Sequence, residues 1–310
     1  MAERFPPADA RSPAIRVGAG LPPGLTRGQL RSAAFSQVTR DVYLPARVRR
    51  DRLARYGALL GAFPTGAAFC LQTASAFRGL PLPTGSREQT LHVAVNEDGW
   101  RPRRRGVVIH QWQLPMEHIE LLGDLPLVTA ARNLLEMAQH SSLEDLVALG
   151  DASLRQGAMS LDECAAVIEE HGRGRRGVSL ARKAVRLLDG RSESAMESWV
   201  RIWCQLAGLP RATPNVWITD EANRRVARVD LLVDEFAVAI EYEGAHHRDA
   251  EQYAADLRRR NLLEALGLRI VHLERSMLRS RVQVVQAVAA VLRLQRWTGA
   301  PDWSFSSDWS

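Results

Sequence analysis

Residues 227–243, ARVDLLVDEFAVAIEYE, constrain the fold more than any other stretch of the chain. Two apolar runs of strand length each carry an acid, Asp230 inside the first and Glu241 at the end of the second. A buried carboxylate without a partner is costly, so these positions need an explanation. Alternation along a strand puts Glu241 and Glu243 on one face and Tyr242 on the other. A hairpin turning near Asp234 and Glu235 brings Asp230 and Glu241 to the same end of the pair. Two strands that each deliver a carboxylate, with a third acid beside them, suit an oxygen-ligand site for Mg²⁺ or Mn²⁺. The competing expectation is that strand-end acids are balanced by arginine, with Arg225 or Arg228 as the candidates.

The segment resembles the PD-(D/E)XK nuclease core, in which an acid on one strand precedes (D/E)-X-K at the end of the next. It is closer to a bacterial restriction-endonuclease-like group related to very-short-patch repair endonucleases. Members of that group read E-Y-D/E-G-x-x-H and then a D-x-x-R helix. Here those positions are Glu241, Tyr242, Glu243, Gly244, His247, Asp256 and Arg259. An S-x-x-E-S context on the preceding helix matches Ser194 to Ser198 and contributes Glu197, with Arg201 one turn on. The likeness covers roughly residues 191–297. It departs from the parent core at one place: Glu243 stands where X-K has lysine, and Lys183 is the only lysine in the chain. Relatives in the group also carry an acid there.

The resemblance implies a metal-dependent DNA endonuclease. Asp230, Glu241 and Glu197 are the expected ligands of Mg²⁺ or Mn²⁺, with Glu243 and His247 as further catalytic candidates. Arg259 is expected against phosphate, where a planar guanidinium suits the oxygens; an intrahelical pair with Asp256 is the plainer alternative.

Residues 1–20 read as a flexible arm. LTRGQLRSA (25–33) carries a helix-start signal at Thr26, and SQVTRDVYLP (36–45) reads as a β wing. Together they resemble the winged-helix start of AbiEi-type antitoxins, with Asp41 where that pattern prefers Gly. Arg27, Gln29, Arg31 and Arg40 are the implied DNA contacts, and a cognate toxin is the implied protein partner. Residues 51–190 are expected to form an α+β positioning or regulatory domain. Within it, 66–83 reads as a helix that Gly79 stops, and 89–95 and 106–114 read as strands. The expected order from about 191 is αβββαβα, a mixed sheet flanked by helices, with a flexible tail at 298–310. The fold class is therefore α/β (α+β).

The 310-residue chain has room for two domains and a net charge of +6, with all but one of its 41 basic residues arginine. That balance favours polyanions such as DNA, although a GC-rich genome also gives arginine-rich chains. No apolar run reaches bilayer length, and the first residues lack the apolar core of a secretory signal; the expected location is the cytoplasm. Cys70, Cys164 and Cys204 are scattered, and isolated buried thiols are expected. Three functions remain open: a metal-dependent nuclease, a DNA-binding antitoxin-like regulator with a silent nuclease fold, and a protein-interaction module.

Overall fold

The computed structural model describes residues 14–48, 50–86, 90–99, 102–243 and 250–304, without the side chains of Glu243 and residues 250–256. The chain divides into two compact units, Met1–Met137 and Ala138–Ser310. The architecture is mixed α/β in both.

The first unit begins with β1 (Ile15–Arg16), β2 (Phe35–Thr39) and β3 (Val42–Pro45), a small sheet in the order β1-β3-β2. The expected wing is the β2–β3 hairpin, and Asp41 in its turn has φ 67°. That left-handed conformation is why such a position favours Gly, and Asp is among the few residues that tolerate it. The expected helix at Thr26 is instead a single 3-10 turn, Gln29–Arg31. Thr26 and Gln29 do close a capping box, but Ser32 Oγ donates to the Gln29 carbonyl (2.7 Å) and competes with further helix.

Helix α1 (Arg52–Leu60), N-capped by Asp51, leads to β4 (Ala68–Phe69) and α2 (Leu71–Phe77). The helix expected from 66 to its stop at Gly79 is therefore shorter: its buried start is a strand inside the main sheet. The remaining elements are β5 (Leu91–Asn96), β6 (Val107–Trp112), β7 (Ile119–Leu122), β8 (Leu125–Val128) and α3 (Ala130–Met137). The sheet order is β6-β5-β4-β8-β7, so the two-residue β4 is central. All eight α3 residues are buried. Arg132 survives there because Glu136 (2.7 Å), His118 (2.9 Å) and the Gln113 carbonyl (3.1 Å) satisfy its guanidinium. Asn133 grips the backbone of Leu71 from both sides, accepting from its N–H (2.6 Å) and donating to its carbonyl (3.2 Å). Leu71 has φ 51°, a conformation unfavourable for a bulky residue and held here by those two bonds.

The second unit opens with α4 (Leu143–Arg155), α5 (Leu161–His171) and α6 (Val178–Val185). Then follow α7 (Ala195–Leu206), β9 (Thr213–Thr219), β10 (Arg225–Val233), β11 (Val238–Glu243), α8 (Ala250–Ala265), β12 (Arg269–Glu274) and α9 (Arg281–Leu294). From α7 onward the order is the expected αβββαβα. The sheet runs β12-β11-β10-β9, antiparallel except for the parallel β11–β12 pair. One core joins α7 and α9 to the sheet through Val200, Trp203, Leu231, Ile240, Val284 and Val288. A second core sets Leu263 of α8 among Val229, Leu232 and Ala239. The domain boundary expected near 191 falls inside this unit, because α4 to α6 group with the later elements. Asp151 of α4 is the clamp: its carboxylate accepts from Ser198 Oγ (2.6 Å), Arg201 Nη2 (2.7 Å) and the Asp189 N–H (2.7 Å). The three cysteines are free and buried.

Candidate functional site

The β10–β11 hairpin turns at Asp234–Phe236, with Ala237 left-handed (φ 49°). Its register pairs Val233 with Val238, Leu232 with Ala239 and Leu231 with Ile240. The next step brings Asp230 opposite Glu241, and paired residues share a face. On the other side of β10, Val229 pairs with Val216 and Leu231 with Pro214, so Asn215 of β9 stands opposite Asp230. Across β11, Glu241 is in register with His272 of β12.

Asp230 is partly buried. One oxygen, Oδ2, accepts the Tyr242 N–H (2.9 Å). Burial raises its pKa above the ordinary 3.8, and the charge of Glu241 adds to that; the Tyr242 N–H, Arg259 and Arg228 offset part of the rise. Glu197 lies at the start of α7, where Ser194 caps the helix through the Glu197 N–H (3.2 Å). Its Oε2 accepts from the Glu193 N–H (2.8 Å) and from Asn215 Nδ2 (2.5 Å). Burial raises its pKa too, and the charge of Asp230 contributes. The repulsions from Glu241 to Asp230 and from Asp230 to Glu197 place the three carboxylates in one electrostatic group.

Glu241 has a different environment. Arg259 of α8 forms a bidentate pair with it, Nη1 to Oε2 at 3.0 Å and Nη2 to Oε1 at 2.5 Å. Nη2 also donates to the Arg228 carbonyl (2.6 Å). The expected phosphate contact is thus bound to an acid of the site. Arg228 pairs with Glu193 and donates to Asn215 Oδ1 (2.7 Å), so the arginine that pairs with a strand-end acid is Arg259 rather than the expected Arg225 or Arg228. Arg225 instead lies over Trp217, 5.3 Å from the ring centre.

His247 and the side chains of Glu243 and Asp256 lie outside the described residues. Arg27, Arg31 and Arg40 are exposed in the first unit. The Gln29 amide oxygen accepts from the Thr26 N–H (2.7 Å) and is used locally. Asn215 was not singled out by sequence. It links Glu197, Arg228 and the Arg191 carbonyl (2.8 Å), and its φ of 56° is the local feature that turns its side chain to that work. Asn is a residue that adopts this conformation at low cost, but no motif or periodicity marks it.

A hard divalent cation takes oxygen donors. Asp230 and Glu197 fit that requirement, since Oδ1 and Oε1 accept no hydrogen bond from a described residue and both carboxylates carry repulsion that their partners offset only in part. Glu241 fits it only by giving up Arg259. Among the described residues, no group of three or more His, Cys, Asp or Glu side chains is disposed as a ligand set.

Fold and site together define a two-unit mixed α/β protein with a buried carboxylate group on its C-terminal sheet. Two Mycobacterium tuberculosis proteins, uncharacterized protein MT2308 and uncharacterized protein Rv2248, are each 30% identical to it over 245 residues, 78% of this chain and 86% of theirs. The chain belongs to the family of these two proteins. No family model matches it, and no solved structure does. Among the described residues no helix is long and apolar enough to cross a membrane.

Proposed function

We propose that the second unit is a metal-dependent nuclease that hydrolyses phosphodiester bonds in DNA, working in the cytoplasm. The observation that carries this reading is the set of three carboxylates delivered by one helix and two paired strands, two of them held against burial and mutual repulsion. Carboxylates whose pKa values are shifted by burial and by one another cluster at functional sites. Asp230 and Glu197 would hold Mg²⁺ or Mn²⁺, joined by Glu241. Such an ion supplies Lewis acidity toward water and phosphate oxygens. The Tyr242 N–H orients Asp230, and Asn215 orients Glu197. Arg259, released from Glu241, is left to face a phosphate, and Arg228 adds positive charge beside the acids. The arginines of the first unit would hold DNA by its backbone, which positions a duplex without reading sequence.

One observation favours a second reading, a DNA-binding, antitoxin-like regulator with a toxin as partner: both Glu241 oxygens are taken by Arg259. Plasmid nicking by purified full-length protein decides between them, with Mg²⁺, Mn²⁺ or EDTA. The nuclease reading expects metal-dependent nicking that Glu241→Gln abolishes, and a smaller loss in His247→Ala. Equal trace activity of wild type and Glu241→Gln on duplex DNA, single-stranded DNA and RNA favours the regulator.

A further inference from the structure

Between the end of α6 and the body of α7 lies a cleft of about 110 Å³, walled by Arg186, Arg201, Gln205, Arg211 and the Leu187–Asp189 segment. That is room for a phosphate group, given that a water takes about 30 Å³. The wall is polar and rich in guanidinium. Arg201 is 5% exposed. Its Nη1 donates to the Leu187 carbonyl (2.7 Å) and its Nη2 to Asp151 (2.7 Å), but its Nε–H is buried with no acceptor. A buried donor left without a partner costs about 1–3 kcal/mol; that N–H is closed to solvent, so Arg201 lends the cleft wall its guanidinium charge, while the donors open to a ligand come from Arg186 and Arg211.

The charges do not cancel. Asp151 answers Arg201, and Asp189 is held by Arg191 (2.6 and 2.9 Å). Arg186 and Arg211 are exposed and have no ion pair with a described residue. Two unmatched planar guanidinium groups beside a third that is buried suit a tetrahedral oxyanion, which accepts from several forks at once.

The cleft is also aligned with the carboxylates. Glu197, Arg201 and Gln205 follow one another at four-residue intervals, on one face of α7. At about 1.5 Å per residue, Arg201 and Gln205 lie roughly 6 and 12 Å along the helix from Glu197. Each DNA strand carries a phosphate per about 3.4 Å of axis, so that distance spans roughly two to four nucleotides.

We propose that this cleft is a phosphate-binding subsite, formed by Arg186, Arg201 and Arg211, for a backbone phosphate of the strand whose scissile bond lies at the carboxylates. The strand assignment rests on the nuclease reading; the affinity for phosphate does not. The test uses three full-length proteins: wild type, the double variant Arg186→Gln/Arg211→Gln, and Asp230→Asn. Both arginines of the double variant are exposed, and thermal melts check that it folds. Calorimetry with inorganic phosphate and anisotropy of a labelled oligonucleotide over a salt series are the two readouts. Wild type and Asp230→Asn are expected to bind both probes alike. The double variant should lose phosphate binding, bind the oligonucleotide about tenfold more weakly, and show a salt slope shallower by about 0.7–0.9.

Coincident titrations of wild type and double variant overturn the subsite. Weaker oligonucleotide binding with no phosphate binding in any protein also overturns it, since that is a general loss of charge. Phosphate binding lost in the double variant with unchanged oligonucleotide affinity assigns the cleft to free phosphate and overturns the strand. A wild type that binds phosphate through these arginines yet never cleaves DNA defeats the nuclease reading and leaves the subsite standing.

Discussion

Asp230 and Glu197 hold their protons more tightly in the fold than their ordinary values of 3.8 and 4.5, chiefly because they are buried. The folded state therefore binds more protons than the unfolded chain as pH rises from those values through the raised ones. Their contribution to stability is fully present below the ordinary values and is lost with rising pH. Asp230→Asn keeps an acceptor for the Tyr242 N–H and removes the charge. At pH 7.5 without divalent ions it should raise Tm, by roughly 1 kcal/mol or about 2–4 °C for a unit of this size, and the gain should vanish toward pH 4. Melts across that range check it, and a variant that is less stable at pH 7.5 would contradict the electrostatic account. Arg259 presents the opposite case, because it neutralises buried Glu241. Arg259→Ala should cost about 2 kcal/mol, read from urea unfolding. Mn²⁺ should then stabilise this variant more than wild type, since Glu241 becomes free to take a cation.

At the scale of elements, α7 ties the carboxylates to the preceding helices. Its Glu197 turn meets the sheet, and its next turn is locked to α4 through Asp151, Ser198 and Arg201. Asp151 is 1% exposed, so Asp151→Asn leaves Arg201 with a weakened partner in a dry setting. A loss of about 3 kcal/mol is expected, measured as a lower urea midpoint. None of this was visible beforehand, because the partners are 47 and 50 residues apart and share no spacing. The hairpin was visible, because acids interrupting two apolar runs at period two are unusual in themselves. Strand β4 was hidden for a different reason: two buried residues next to a helix look like that helix's first turn. Asn215 acts through its own left-handed backbone and Asn133 through long-range hydrogen bonds to left-handed Leu71, and neither leaves a periodic trace.

For the whole molecule, the net charge of +6 is carried almost entirely by arginine. If DNA is the partner, the observed binding constant should fall linearly with salt on logarithmic axes, with a slope near −0.9 for each phosphate neutralised. Asp230→Asn should leave that line unchanged; a salt-insensitive complex would remove nucleic acid from consideration. The short turn between β10 and β11 also bears on the order in which the chain assembles. Asp230 and Glu241 lie on a local hairpin, and such hairpins close in about 1–10 μs. Glu197 arrives only when α7 docks, from before β9. Until then Asp230 and Glu197 stay wet, and the burial that chiefly raises their pKa values is absent. Most of the proton linkage therefore arises at the docking step, and if docking follows the rate-limiting barrier, pH will be felt mainly in how fast the protein unfolds and little in how fast it folds. Chevron plots at pH 5 and pH 7.5 would show it, with folding arms that superimpose and unfolding arms that do not.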